Sequence, residues 1–365
     1  MSRFLDTRYL GIAPYTPGEQ PQDRSYVKLN TNESPFPPSP AVIRALNADE
    51  VSRLNLYSDP TAGKLVAAIA TGYTAALKEQ GLPGIGERNV FVGNGSDEVL
   101  AFAFAAFCSR ELGVASPAIG YGFYPVFAEF FSLPYEAVPM LPDLAVDPEG
   151  FKGIEATVVI ANPNAQTGIY LPLSEIETIV SENKDRLVIV DEAYCDFGGE
   201  SAVRLIARHD NLLVVSTMSK SRQLAGGRVG FAIGSEDLIE DLNKMKFSFN
   251  PYNLDRLSIL AGAAAMEDED YFNLTRTAVM RERERLKKEF SSLGFSLTPS
   301  LANFILARHG GIGGRELYLA LKARGVLVRW LGGELEDYVR ISVGSEEQNE
   351  ALLAAVRDVI KEKKL

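Results

Sequence analysis

Cysteine and histidine are almost missing: the 365 residues hold only Cys108 and Cys195, and only His209 and His309. Two distant cysteines in apolar surroundings make neither a disulfide framework nor a paired-cysteine metal site, and two histidines cannot build a histidine-rich metal centre. This usage fits a reducing cytoplasm. A basic excess is missing too, since Lys and Arg number 37 against 48 Asp and Glu, for a net charge of -11. Nucleic-acid and anionic-membrane surfaces both need a basic face, so neither partner is expected and any anionic ligand must be held by local groups. Long apolar runs are absent as well. MSRFLDTRYLGIAPYTPG is interrupted by Arg3, Asp6 and Arg8 before a signal-peptide core can form, and no window approaches a membrane span.

What is present is an ordinary globular composition, 46% hydrophobic, with length enough for two domains or a large domain with a satellite. Pro17 to Pro40 is rich in proline, asparagine and serine without helical period, which suggests an extended arm lying on another surface, including that of a second subunit. Beyond it, helical and strand-like segments alternate. An amphipathic run covers Lys64 to Lys78, a short strand Val90 to Val92 leads into a helix near Ser96, and apolar strands are expected at Thr157 to Ile160, Leu187 to Val190, Leu212 to Val215 and Val229 to Ile233. Helical crossovers between them predict an α/β sheet that is parallel in large part. After Asn250 a long charged helix, about Tyr271 to Leu293, precedes short strands at Asn303 to Ala307, Val326 to Val328 and Tyr338 to Val343. The expected organisation is an arm with part of a small domain over 1–45, a large domain over 46–250 and a small α+β domain over 251–365.

Three stretches carry candidate chemistry. VFVGNGSDEVL places a glycine turn between a strand and a helix opening with Ser96 and Asp97, whose backbone N–H groups suit a phosphate; the same pattern also reads as a plain capped helix. It is neither a dinucleotide fingerprint nor a P-loop. VIVDEAYCDFG ends an apolar strand in Asp191, at the sheet edge where open α/β proteins put their ligands, with Tyr194 three residues on. STMSKSRQLAGGRVGFAIG crowds Ser219, Lys220 and Arg228 around small residues between two apolar strands. A lysine there, its pKa lowered by desolvation, can form an imine with a carbonyl, although most lysines are merely solvated. Pyridoxal phosphate has matching needs: an amine for its aldehyde, N–H donors, hydroxyls and a guanidinium for its phosphate, and an anion for its ring nitrogen.

The chain resembles the fold-type I pyridoxal-phosphate-dependent aminotransferases, and within them the histidinol-phosphate aminotransferases. The resemblance runs nearly end to end through KLNTNESPFPPSP, LYSDPTAGKL, VGNGSDEVL, ANPNAQTG, VDEAY, STMSKSRQLAGGRVGF and VRISVG, in that order. It implies a cytoplasmic homodimer with the cofactor at the subunit boundary. Lys220 would bind the cofactor covalently and shuttle the proton, Asp191 would face the pyridine nitrogen, and Tyr194 would donate to the ring 3-oxygen. Ser96 and Asp97 by their amides, with Ser219 and Arg228, would hold the phosphate; Tyr57 would reach the phosphate of the other subunit, and Tyr121 would stack on the ring. Arg340 in VRISVG and Arg329 in LVRW would grip a substrate phosphate or carboxylate, with Tyr15 and Asn32 lining the mouth.

The sequence also departs from the family pattern. Ala165 stands where asparagine is usual before Pro-Thr-Gly, and Gln166 stands where proline is usual, which leaves Asn164, one residue early, to take over the contact to the ring 3-oxygen. Ser216 and Gln223 also differ from the usual residues. The reaction implied is exchange of an amino group between L-histidinol phosphate and 2-oxoglutarate, giving imidazole acetol phosphate and L-glutamate. Transamination of aromatic amino acids or decarboxylation of threonine phosphate would use the same scaffold, because the cofactor motifs do not choose the bond. A non-catalytic effector-binding regulator would want a basic helix-turn-helix segment, and a nicotinamide dehydrogenase a glycine fingerprint; neither is found.

Overall fold

The computed structural model describes residues 3–364. Strand β1 (Val27–Lys28) lies in the N-terminal arm; β2 (Val90–Asn94), β3 (Val114–Pro117), β4 (Tyr135–Val138), β5 (Thr157–Ala161), β6 (Val188–Asp191), β7 (Leu212–Thr217) and β8 (Val229–Ile233) follow. The last seven form one sheet in the order β2-β8-β7-β6-β5-β3-β4. All pair in parallel except β8, which runs antiparallel to both of its neighbours. TVVIA, VIVD and LLVVST are buried along their whole lengths, as central parallel strands covered on both faces must be. Each fully buried Val, Ile or Leu side chain there contributes about 1.5–3 kcal/mol.

The expected strands and crossovers are found, with the amphipathic run realised as the helix Gly63–Glu79. Asp59 starts this helix by accepting from the Thr61 and Gly63 N–H groups, each at 2.9 Å. Strands β3 and β4, short and partly polar, are additions to the expected set.

A second unit holds β9 (Phe295–Leu297), β10 (Phe304–His309), β11 (Val326–Leu327), β12 (Arg329–Gly332) and β13 (Leu335–Ser342), with a four-stranded antiparallel sheet in the order β12-β13-β10-β9. The long helix Glu269–Ser292 and the terminal helix Glu346–Lys363 cover it; the second of these starts on a Ser345/Gln348 capping box. The helix Arg256–Glu267, which the sequence reading groups with the small domain, instead buries Ile259, Ala264 and Met266 in the core of the seven-stranded sheet. The second core begins within the next helix, with Val279, Leu286 and Phe290. The arm stays on its own chain at Val27 and Lys28, where β1 pairs with β11 and Leu29 enters the second core. Thr298 and Leu301 bond to the Thr167 and Gly168 carbonyls, and buried Arg283 donates to the Phe197 and Ala302 carbonyls, fastening the two units together.

Candidate active site

Because β2, β5, β6 and β7 are parallel, their carboxyl ends share one edge of the sheet, and a cavity of about 530 Å³ lies there against the second unit. Every residue singled out from the sequence lines it except Asn164 and Tyr57.

One side of the cavity is an anion cradle. Asn94 ends β2 and the helix Gly95–Phe107 begins at once, so its first-turn N–H groups have no acceptor within the helix. Gly95, at φ +77°, makes the turn, and a side chain there would strike the Arg228 guanidinium at 2.4 Å. Arg228 itself holds φ +50° and reaches Asp97 at 3.2 Å. The Thr217 hydroxyl lies 2.9 Å from Ser219 Oγ and also accepts from the Ser219 N–H, so two hydroxyls sit together beside the lysine. A methyl on Gly230 would fall 2.3 Å from both the Gly95 carbonyl carbon and the Ser96 nitrogen, and neither backbone atom can swing away. Gly230→Ala is therefore expected to cost about 1–3 kcal/mol of stability and to loosen the cradle. Thermal melting together with phosphate-compound retention on dialysis would check it; a variant matching wild type in both would show that the approach is slack.

The opposite side holds the titratable groups. Lys220 follows β7, its Nζ donating to the Thr31 carbonyl of the arm at 3.2 Å. Burial first, and then the Arg340 and Arg228 guanidiniums, bring its ammonium down to about 8 against the pull of Glu33 and Asp97. Asp191 is pushed up to about 6 by burial, although the Tyr124 hydroxyl donates to it at 2.8 Å and the Ala193 N–H at 3.2 Å. A carboxylate so placed favours a cationic neighbour. Asn32 donates to the Tyr194 hydroxyl at 3.1 Å, leaving that O–H free to donate onward. Tyr121 gives its hydroxyl to Asp97 at 2.7 Å and presents its ring to the cavity.

At the mouth, Tyr15 stacks on Phe123 at 4.4 Å, and Arg329 is held by the Thr16 and Pro17 carbonyls of the arm. Arg340 comes from β13 across to the large unit, donating from Nη1 to the Ala165 carbonyl at 2.9 Å and to Gln166 Oε1 at 2.8 Å. Its Nε is buried and has no acceptor among the described residues. That orphaned donor, the uncompensated Asp191 and the glycine-lined cradle together fit pyridoxal phosphate and an anionic donor.

Two of the expected residues lie outside the cavity. Asn164 donates from its amide to the Ile119 carbonyl at 2.7 Å, and its oxygen accepts from the Gln166 and Thr167 N–H groups, so the side chain shapes its own loop. Tyr57 lies outside the cavity of its own chain, 80% exposed and stacked on Tyr252 at 4.6 Å. Three residues were not foreseen: Thr217, Tyr124 and the cavity-lining Gln166. The Thr-x-Ser-Lys spacing signals the first, whereas the partner of a buried phenol is not written in the sequence.

Behind Asp191 the next residue, Glu192, accepts from Ser201 Oγ and the Ala202 N–H, each at 2.6 Å. Burial raises its carboxyl to about 8. With the folded value raised, its contribution to stability is full below about 4.5 and is lost as pH rises through about 8. Glu192→Gln is expected to flatten the alkaline decline of the melting temperature, by roughly a few degrees. Parallel wild-type and variant curves from pH 6 to 9 would count against that assignment.

The profile of aminotransferase class I and II matches residues 24–356, and the chain belongs to that family. Within it, the chain is 48% identical to the histidinol-phosphate aminotransferase of Aromatoleum aromaticum, across 99% of this chain and all of that one. It is 45% identical to that of Brachyspira hyodysenteriae at the same coverage. The same architecture is seen in the crystal structure of histidinol-phosphate aminotransferase from Sinorhizobium meliloti in complex with pyridoxal-5'-phosphate, with a TM-score of 0.82 at 23% identity over 93% of this chain and 92% of that one.

Proposed function

We propose that this chain is a pyridoxal-phosphate-dependent aminotransferase that moves an amino group between L-histidinol phosphate and 2-oxoglutarate, yielding imidazole acetol phosphate and L-glutamate. The observation that carries the reading is the meeting, in one cavity, of buried Lys220, buried Asp191, the Ser96/Arg228 cradle and Arg340. When bound, pyridoxal phosphate supplies an aldehyde for an amine and a protonated ring that accepts electrons from a breaking carbon–hydrogen bond. The Ser96 and Asp97 amides, the Thr217 and Ser219 hydroxyls and Arg228 would hold the phosphate. Asp191 would keep a proton on the ring nitrogen, and Tyr194 would donate to the ring 3-oxygen. Lys220 Nζ would be the amine that holds the cofactor's aldehyde and, once freed, the base for the proton on the donor carbon that bears the amine. Arg340, with Arg329, binds the donor's phosphate or the carboxylate of glutamate.

The test is the absorption spectrum of cofactor-supplemented protein before and after L-histidinol phosphate, with glutamate formation from 2-oxoglutarate followed in parallel. A lysine-linked cofactor, trapped by borohydride and discharged by this donor, is the expected result. A linked cofactor that ignores the donor would remove the substrate assignment. An aromatic amino acid would then be the next donor to try, favoured by Tyr15 and Tyr121, which line the cavity, with Phe123 stacked on Tyr15.

The reading includes a homodimer. Ile43, Leu54, Leu56, Tyr57, Phe247 and Phe249 are exposed apolar side chains, a concentration that favours a protein interface carrying Tyr57 toward a partner's phosphate. Sedimentation should give twice the 39.8 kDa chain mass, and Leu56→Asp should split the assembly. A wild-type monomer would rule the dimer out. Both thiols are free, in keeping with a cytoplasmic, reducing compartment.

A further inference from the structure

Arg340 is held in an unusual way for a cation. Among the described residues no carboxylate pairs with it, and its guanidinium carbon lies 5.2 Å over the Phe304 ring. Burial holds its pKa below the ordinary value. Its Nη1 carries two protons, and both are taken: one by the Ala165 carbonyl at 2.9 Å, the other by Gln166 Oε1 at 2.8 Å. The amide nitrogen of Gln166 is in turn braced on the Gly120 carbonyl at 3.2 Å, next to the ring-facing Tyr121. Nε remains buried and without an acceptor among the described residues. A guanidinium is planar with its donors in a fixed fork, so tying down one nitrogen fixes the plane and decides which donors are left.

Resting on the aminotransferase reading above, we infer that Gln166 is a specificity-determining positioning residue: by saturating Nη1 of Arg340 it turns the Nε/Nη2 edge toward the donor and so selects donors that carry a phosphate or carboxylate. The amide is suited to this because it is neutral. It orients the cation and leaves the charge for the ligand, whereas a carboxylate of the same length would cancel that charge. The side chain also bridges two places far apart in sequence, since Arg340 belongs to β13 of the second unit and Gly120 to the loop after β3 of the first.

The experiment compares wild type, Gln166→Leu and Gln166→Glu, each loaded with cofactor, on L-histidinol phosphate and on its dephosphorylated counterpart L-histidinol. Both variants should keep the lysine-linked cofactor spectrum and the wild-type melting temperature. For the phosphorylated donor, KM should rise roughly tenfold in Gln166→Leu and more in Gln166→Glu, with kcat within about twofold. For L-histidinol, both parameters should stay at their wild-type values, so the preference for the phosphate collapses. Equal losses on both donors, a loss confined to kcat, or no change on either would overturn the inference and leave Gln166 a structural brace. If wild type ignores L-histidinol phosphate yet is discharged by glutamate, the substrate assignment alone fails. The variants are then read on glutamate against isopropylamine, which carries no anionic group, with the same expected split. A wild type inert toward every anionic donor would end both readings.

Discussion

Lys220→Ala is expected to lower turnover by at least about 10⁴-fold, because one side chain supplies both the attacking amine and the proton carrier. The fold should survive, since the lysine's one hydrogen bond is to the Thr31 carbonyl and its neighbours in β7 are buried independently of it. The pH dependence follows from its lowered pKa. Only the neutral amine attacks, so in wild type the rate of borohydride-trappable cofactor capture should rise about tenfold per pH unit below the pKa and level off above about 8. Stopped-flow absorbance from pH 6 to 10 measures this. Substantial turnover in the alanine variant, or a capture rate indifferent to pH, would deny Lys220 its role.

Asp191→Asn should separate capture from turnover. The amide is nearly isosteric and can still accept from Tyr124, so the cofactor is expected to attach to Lys220. Asparagine carries no charge with which to hold a proton on the ring nitrogen, and turnover should fall by roughly 10²–10³-fold. The wild-type carboxyl, raised to about 6 before it meets a cation, adds a sign that can be checked. As pH falls below about 6 the group becomes neutral, and affinity for the cofactor should weaken more steeply in wild type than in the variant, which keeps only the dependence set by Lys220. Equal kcat in the two proteins would show that the carboxylate serves packing alone.

How far the sequence reaches is clearest at particular residues. Asp191, Lys220 and Arg228 were legible because each abuts an apolar strand, and the end of a buried strand is a small target. The loop contacts of Asn164 were not legible, because whether a side-chain oxygen meets its own loop amides or a distant group is decided by local geometry. The helix Arg256–Glu267 was grouped with the wrong core, since the nine Leu, Ile, Met, Ala and Gly residues in RLSILAGAAAME say that it is buried without saying against what. Gln166 stood out only as an oddity. Its partners, Arg340 and Gly120, lie 174 and 46 positions away, and no periodicity encodes such a pair.

The two cores divide the labour. Ser96, Asp97, Asp191, Ser219, Lys220 and Arg228 all hang from the seven-stranded sheet, whereas Arg329 and Arg340 come from β12 and β13. The two halves of the cavity are nonetheless tied across the cleft, by Gln166 on Arg340 and by the charge of Arg340 on Lys220. A lineage, or an engineer, that rewrites residues 329–340 to accept new amines must therefore retune the side chain at 166 and the basicity of the lysine along with them.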